Sequence, residues 1–217
     1  ADDGRDDEPE LLPTLLPHVF LQGAMGIAMG LSTSIPTFTQ ESLVKVLKGM
    51  LQGKKVTPRA LTKVLKMQFP FGGDAPLDAE WQEEALDLMK TGKGSIYVYC
   101  DFHVDEKTKS LVITGVPPRM RPDTLMEKLR DSGYFTYVAD EKGKGCKTPA
   151  LIVAKFNRTA RPADAIDDLD NVLASKVPFQ IAVVERSWDE EQNKIVADIY
   201  QWGVGELLEH WLEWRLE

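Results

Sequence analysis

The chain has 217 residues, of which 43% are hydrophobic and 28% are charged, so it can bury one or two real cores. No apolar run approaches the roughly 18 residues of a membrane-spanning helix, and the acidic first ten residues are unlike a signal peptide. We therefore expect a cytoplasmic protein with no membrane partner. The two cysteines and three histidines lie at no zinc-ligand spacing and predict neither a metal site nor a disulfide framework.

The formal net charge of −8 argues against a protein that binds nucleic acid through its total charge. The basic residues are nevertheless concentrated in two windows. Residues 41–66 carry seven Lys and Arg against one acid, and residues 107–130 carry six against two. Two interpretations stay open, namely a face that binds a polyanion and two helices whose lysines simply face solvent.

The segment that follows the acidic start is apolar but rich in glycine. Residues 19–31 contain Gly23, Gly26 and Gly30, which are too many glycines for a stable helix. The same residues are too apolar for a solvated loop. We expect this segment to pack closely against another element or against a ligand.

Three helices are predicted between residues 39 and 92. Thr39 is a typical N-cap for a helix whose apolar positions recur every three or four residues from 43 to 51. Thr57 followed by Pro58 predicts the second helix. Asp78 is the expected cap of the third, which should end at Gly92.

From residue 95 onward the pattern favours strands. Residues 95–104 and 111–116 predict an antiparallel hairpin ended by Pro117 and Pro118. A helix capped by Asp123 and ending at Gly133 follows, and then strands at 150–156 and 178–187 with a helix at 163–174 between them. A last helix carries an apolar stripe at 207, 208, 211 and 212 without a stop signal, so we expect a piece of a longer protein. This order predicts an α+β fold with helices packed on a mainly antiparallel sheet.

Nothing in these elements predicts self-contained catalysis. His18, His103 and His210 lie in no motif of nucleophile and base, and the acidic runs at 1–10 and 164–170 are typical of a solvated surface. The glycine segment lacks the spacing of a phosphate-binding loop. From residue chemistry alone we expect a binding or scaffolding domain.

Residues 3–36 resemble a specific stretch of type IIA DNA topoisomerases. The A subunits of gyrase and topoisomerase IV share the pattern Glu-Pro, Leu-Pro, Pro and then Asn-Gly-x-x-Gly-Ile-Ala-x-Gly-x-x-Thr-x-Ile-Pro, most of which recurs here in order. Weaker similarity continues through 91–98, 116–117, 125–129 and 177–181. The resemblance implies a tower-like (shoulder) domain of the breakage-reunion core, with a connector at 1–38, the tower at 39–200 and the start of a coiled-coil arm helix at 201–217.

The same resemblance implies how DNA is bound. Ile27 matches the isoleucine that wedges between base pairs of the bent gate segment, where Gly26 and Gly30 allow the backbone to approach the groove. The alternative for Ile27 is an ordinary buried core residue. The implied phosphate contacts come from the basic windows and from the turn before residue 95, namely Lys45, Lys48, Lys54, Lys55, Arg59, Lys93, Arg119 and Arg121.

The resemblance also implies partners and missing parts. The tyrosine nucleophile of the family should lie upstream of residue 1, so the chain alone is expected to be an inactive part of an ATP-dependent isomerase. Mg²⁺ and ATP belong to the B-type subunit or region. The implied partners are duplex DNA, that B-type part and a second copy of the A-type chain held through the coiled coil.

Three departures from the family pattern indicate a divergent source, such as a phage. They are Gln22 in place of Asn, Thr37, Phe38 and Thr39 in place of Pro-His-Asn, and Gly115 in place of a Glu. A non-catalytic protein-interaction scaffold with a topoisomerase-like fold remains the alternative function.

Overall fold

The structure is a computed structural model that describes residues 14–28, 30–143, 146–189 and 194–216. Its helices are α1 (His18–Gln22), α2 (Gln40–Leu51), α3 (Pro58–Val64), α4 (Glu83–Thr91), α5 (Pro122–Asp131), α6 (Pro162–Asp168), α7 (Asp170–Leu173) and α8 (Val204–Leu216). Its strands are β1 (Ala24–Ala28), β2 (Leu31–Ile35), β3 (Lys93–Tyr99), β4 (Asp101–Asp105), β5 (Ser110–Gly115), β6 (Phe135–Asp140), β7 (Ile152–Phe156), β8 (Ala174–Gln180), β9 (Ala182–Asp189) and β10 (Lys194–Gln201).

The described strands form three antiparallel sheets. One has the order β1-β2-β8-β3, a second has the order β4-β5-β7-β6, and β9 pairs with β10. The expected α+β class with antiparallel sheets is therefore confirmed. Among the described residues, no helix is both long enough and apolar enough to cross a membrane.

The first hydrophobic core joins the β1-containing sheet to helices α1 to α4 and α8. Phe20 of α1 and Phe38 after β2 are fully buried, with ring centroids 5.6 Å apart. Val204 and Leu208 of α8 are buried in the same cluster. Burying an aliphatic or aromatic side chain of this kind stabilises a fold by about 1.5–3 kcal/mol. The expected connector (1–38), tower (39–200) and arm helix (201–217) all contribute residues to this core. The domain boundaries at 38 and 200 stay predictions.

The second hydrophobic core joins the β4-containing sheet to helices α5, α6 and α7. Leu111 of β5 and Leu125 and Leu129 of α5 are buried in it. The chain enters this part of the molecule at Cys100, whose backbone N–H donates a hydrogen bond to the carbonyl of Leu173 (2.8 Å). Two cores, each with its own four-stranded sheet, thus share one chain.

The prediction of a single strand over residues 95–104 is wrong. β3 ends at Tyr99 and pairs with β8, whereas β4 begins at Asp101 and pairs with β5. The chain changes sheets at Cys100, between the two strands, and the alternating pattern of side chains does not reveal this change of partner. The hairpin expected with residues 111–116 is confirmed, since His103 lies opposite Val112 in the β4–β5 pair.

Helices α2 and α3 begin where the caps predict. The side chain of Thr39 accepts a hydrogen bond from the N–H of Ser42 (3.4 Å), and that of Thr57 accepts one from Ala60 (3.2 Å). Each bond satisfies one of the free N–H groups of a first helical turn.

The cap expected at Asp78 is wrong, because α4 begins at Glu83. The side-chain amide of Gln82 bonds the N–H (3.0 Å) and the carbonyl (2.7 Å) of Tyr97, and so ties the start of α4 to β3. The end of α4 is confirmed, since Gly92 follows it with a left-handed φ of 73°.

Other element boundaries differ from the sequence pattern. Helix α5 begins at Pro122, ahead of the expected cap Asp123, because proline suits the first helical position. The helix expected over 163–174 is divided into α6 and α7 at Leu169, and the strand expected over 178–187 is divided at Ile181. The pattern does not predict β6, β10 or the β1–β2 hairpin, whose glycines hide the alternation of its side chains.

Candidate nucleic-acid interface

Strands β1 and β2 form a hairpin that presents apolar side chains to solvent. Ile27 lies opposite Ser32 and Met25 lies opposite Ser34. The side chains of Ile27 and Met25 are 88% and 73% exposed, so neither belongs to a core. The alternative that Ile27 is a buried core residue is therefore wrong, and its role as a wedge stays a prediction.

The two glycines predicted to serve the wedge differ in their backbone. Gly30, next to β2, has a left-handed φ of 76°, which a residue with a Cβ rarely adopts. Gly26 has no such φ, and a Cβ on it would meet the Cγ2 of Thr33 at 3.4 Å, an ordinary contact. Only Gly30 therefore needs glycine for its conformation.

One cleft brings four of the predicted DNA-binding residues together. It has a volume of about 340 Å³ and lies between the β1–β2 hairpin, the start of β3 and the end of β8. Its lining includes the four predicted residues Gly26, Ile27, Lys93 and Arg119. The structure thus places an exposed apolar side chain beside two cations that are far away in the sequence.

Local turns hold the two cations at this cleft. Lys93 begins β3 directly after Gly92, where a Cβ would collide with the carbonyl oxygen of Trp202. Arg119 lies in the turn after β5, in which the N–H of Met120 donates to the carbonyl of Pro117 (3.2 Å). Both side chains are exposed.

A second group of basic residues continues from Arg119 onto α5. Arg119, Arg121 and Lys128 line a cleft of about 230 Å³ together with the start of β8. Arg130 is different, because its guanidinium donates to the carbonyl of Val138 (3.0 Å) and so holds β6. The second basic window therefore divides into residues that line clefts and residues that build the fold.

An ion pair balances one further cation near the cleft. Lys176 donates to Glu84 (2.7 Å), and the N–H of Ser95 donates to the same carboxylate (2.7 Å). The hydrogen bond from Lys176 is the main cause of the lowered pKa of Glu84. Within the described part of the chain, no hydrogen bond or ion pair engages the side chains of Lys93 and Arg119. Their charges are therefore available to a ligand.

The first basic window lies elsewhere. Lys45 and Lys48 are on α2, Lys54 and Lys55 follow it, and Arg59 is in the first turn of α3, all exposed. Lys48 lines a largely apolar groove between α2 and α8. None of these five residues lines the cleft that contains Ile27, so the structure does not bring the two windows into one cleft.

Two features of the interface escape the sequence analysis. Met25 lines the Ile27 cleft and also a neighbouring cleft of about 410 Å³, which is lined by apolar residues such as Phe71 and Phe179. Arg119 lines both clefts as well. The signal for Met25 is its spacing of two from Ile27, which places both side chains on one face of a strand.

Two described tyrosines are held as hydrogen-bond donors. Tyr99 donates to Asp170 (3.3 Å), and Tyr134 donates to Asp168. Burial raises the pKa of the Tyr99 phenol, and the bond to Asp168 raises the pKa of Tyr134. Phenols that keep their protons are poor nucleophiles. In the described ranges, no group of three His, Cys, Asp or Glu side chains is placed to hold a metal ion.

Comparison with known proteins identifies the family. The sequence matches the family of DNA gyrase/topoisomerase IV A subunits over residues 1–217. The chain belongs to this family. It is 26% identical over 192 residues to the A subunit of DNA topoisomerase 4 from Caulobacter vibrioides, covering 84% of this chain and 25% of that protein.

Gyrase subunits are similar to the same extent. The A subunit of DNA gyrase from Mycoplasma genitalium is 26% identical over 186 residues, covering 82% of this chain and 22% of that protein. The chloroplastic/mitochondrial DNA gyrase A subunit of Nicotiana benthamiana is 27% identical over 191 residues, covering 84% of this chain and 20% of that protein. The resemblance to A subunits of gyrase and topoisomerase IV is thus confirmed. The chain spans a quarter or less of the length of these relatives.

One departure from the gyrase and topoisomerase IV pattern has a structural reason. A Cβ on Gly115 would collide with the Oδ2 of Asp101 and lie 2.9 Å from the Cα of Gly72. The same Asp101 oxygen accepts a hydrogen bond from the N–H of Gly73 (2.8 Å). A side chain at position 115 would displace this contact, so the glutamate of the family pattern does not fit here.

Proposed function

We propose that the chain is the tower-like portion of a type IIA topoisomerase A subunit that binds and bends the gate segment of duplex DNA. The observation that carries the proposal is the exposed Ile27 beside Lys93 and Arg119 in one cleft. Membership of the gyrase and topoisomerase IV A family supports it. Helix α8 then leads toward a coiled-coil arm through which two A subunits pair.

The physical argument concerns the hairpin. An apolar side chain that water surrounds gains by entering the base stack, where it partly unstacks one step and kinks the duplex. Bending costs on the order of 1–6 kcal/mol, which contacts between the bent backbone and nearby cations offset. Lys93 at the start of β3 and Arg119 and Arg121 of the second window supply such cations near the hairpin, and Lys45, Lys48, Lys54, Lys55 and Arg59 supply them on the first window.

The test compares two exposed isoleucines. Ile27→Ala and the control Ile199→Ala, whose side chain is 58% exposed on β10, remove the same atoms. Both should leave the melting temperature nearly unchanged, because surface substitutions change stability by about 0.5 kcal/mol or less. Only Ile27→Ala should reduce the bending of an end-labelled duplex, measured by energy transfer. Equal bending by the two variants would contradict the wedge.

The chain is proposed to be catalytically inactive alone. None of its five tyrosines directly follows an arginine as the nucleophile of the family does, and the raised pKa values of Tyr99 and Tyr134 support this assignment. Mg²⁺ and ATP act on the B-type part. Purified chain should therefore leave supercoiled plasmid unchanged with Mg²⁺ and ATP present, and the appearance of relaxed plasmid would contradict the proposal.

A second candidate function is a protein-interaction scaffold with the same fold. It is favoured by the first basic window, because Lys48 lines an apolar groove on α2 and α8 and not the Ile27 cleft. Titration of a labelled duplex of about 30 base pairs separates the two functions. Binding that weakens steeply with salt supports the DNA function, and no binding at low salt supports the scaffold.

A further inference from the structure

Arg119 has a backbone conformation that its side chain disfavours. Its φ is 68°, in the left-handed region where glycine is the usual residue. It is the third residue of the turn from Pro117 to Met120, with Pro118 second. Proline in second place and a positive φ in third place are features of a type II β-turn, in which glycine normally takes the third position. The turn itself therefore favours glycine at 119.

The fold gives no reason for the arginine. The Arg119 side chain is exposed and forms no hydrogen bond or ion pair with any described residue. The surroundings nevertheless hold the turn firmly, because Val116 before it donates its N–H to the carbonyl of Phe71 (2.9 Å) and two prolines follow. Strain of this kind persists at functional sites where the surrounding structure enforces it.

The position of Arg119 indicates what the side chain contacts. Arg119 lines the cleft of Ile27 and Lys93, the apolar cleft of Met25, and the cleft of Arg121 on α5. It is thus the residue shared by the hairpin of the first core and the basic face of the second. A DNA strand that passes from the Ile27 cleft to α5 runs over Arg119.

We propose that Arg119 is the phosphate clamp that joins the wedge hairpin to the α5 face, and that its left-handed turn is retained to aim the guanidinium at the backbone of the kinked duplex. The proposal rests on the DNA-binding function above. Its ligand is a phosphate group of duplex DNA, which the planar guanidinium binds through two parallel hydrogen bonds. The specific expectation is that glycine at 119 suits the fold and impairs DNA binding.

The experiment uses two matched variants. Arg119→Gly and the control Lys109→Gly each remove one positive charge from a left-handed residue, since Lys109 has a φ of 50° in the β4–β5 turn. Both should keep or raise the melting temperature, because glycine relieves the strained φ. Arg119→Gly should weaken binding to a labelled duplex about 10-fold at low salt and reduce the salt slope by about 0.9. Lys109→Gly should change affinity by less than about 2-fold.

The outcomes separate this inference from the function on which it rests. If the unaltered chain does not bind the duplex, both are overturned. If it binds and Arg119→Gly binds as tightly as Lys109→Gly, only the clamp is overturned. A lower melting temperature for Arg119→Gly would overturn the claim that the turn favours glycine. Arg119→Lys keeps the charge and the strain, so the clamp predicts a smaller loss of affinity than for Arg119→Gly.

Discussion

At the residue scale, exposure separates side chains that build the fold from those that can meet a ligand. Ile96 and Ile113 are fully buried in the two cores, whereas Ile27 is 88% exposed. Local pattern alone does not distinguish these isoleucines, because each follows or precedes small or polar residues. The resemblance to the topoisomerase family singles out Ile27, and its exposure excludes the core alternative.

The two cysteines should differ in reactivity. Burial raises the pKa of the Cys100 thiol to about 12, and a hydrogen bond with Thr148 lowers the pKa of Cys146. Because the thiolate is the reactive form, iodoacetamide at about pH 8 should label Cys146 first and leave Cys100 unmodified in the folded chain. Mass spectrometry of the labelled peptides measures this.

A denatured sample is the control for the labelling. Unfolding exposes both thiols, so both should then be labelled at similar rates. Rapid labelling of Cys100 without denaturant would mean that the Cys100 junction between β3 and β4 opens readily, contrary to its burial.

At the element scale, local caps set where helices begin, whereas strands depend on pairing with distant partners. The sequence predicts the starts of α2 and α3 to the residue, because Thr39 and Thr57 satisfy local N–H groups. It misplaces the start of α4, because the competing bond joins Gln82 to Tyr97 on another element. It misses the β1–β2 hairpin, which matters most for the proposed function.

The hairpin should depend on Gly30 and not on Gly26. Alanine at position 30 must adopt a left-handed φ, which costs roughly 1–2 kcal/mol, whereas alanine at position 26 meets only the methyl group of Thr33. Gly30→Ala should therefore lower the melting temperature by about 2–4 °C for each kcal/mol of this conformational cost. Gly26→Ala should leave the melting temperature nearly unchanged. Differential scanning calorimetry of the two variants measures the difference. A larger loss for Gly26→Ala would contradict the geometry.

At the scale of the whole molecule, the two basic windows are not equivalent. Lys93 lines the Ile27 cleft, Arg121 lines the cleft on α5, and Arg119 lines both, whereas Lys48 lines the groove between α2 and α8. Because the net charge is −8, the rest of the surface repels a polyanion, and the proposed DNA contacts must be confined to such clefts.

Charge reversal should rank the two windows. Replacing Lys54, Lys55 and Arg59 by Glu should flatten the dependence of duplex affinity on salt, because each phosphate that is no longer neutralised reduces the slope by about 0.9. Reversal of Lys93 and Arg121 should have the larger effect per residue, since Lys93 lines the Ile27 cleft and Arg121 lines the cleft that shares Arg119 with it. Fluorescence anisotropy over about 50–200 mM salt measures both. If the salt dependence is unchanged when Lys54, Lys55 and Arg59 are replaced, these residues face solvent and do not contact phosphate.

The sequence by itself determined the α+β class, the caps of α2 and α3, the end of α4 and, through its resemblance, the topoisomerase family. These features depend on short-range hydrogen bonds, apolar periodicity and a local motif, which a linear pattern contains. The tertiary structure decided that the chain leaves one sheet for the other at Cys100 and that Ile27, Lys93 and Arg119 line one cleft. Such placements depend on contacts between distant strands, above all the pairing of β8 with β2 and β3, which no local pattern encodes.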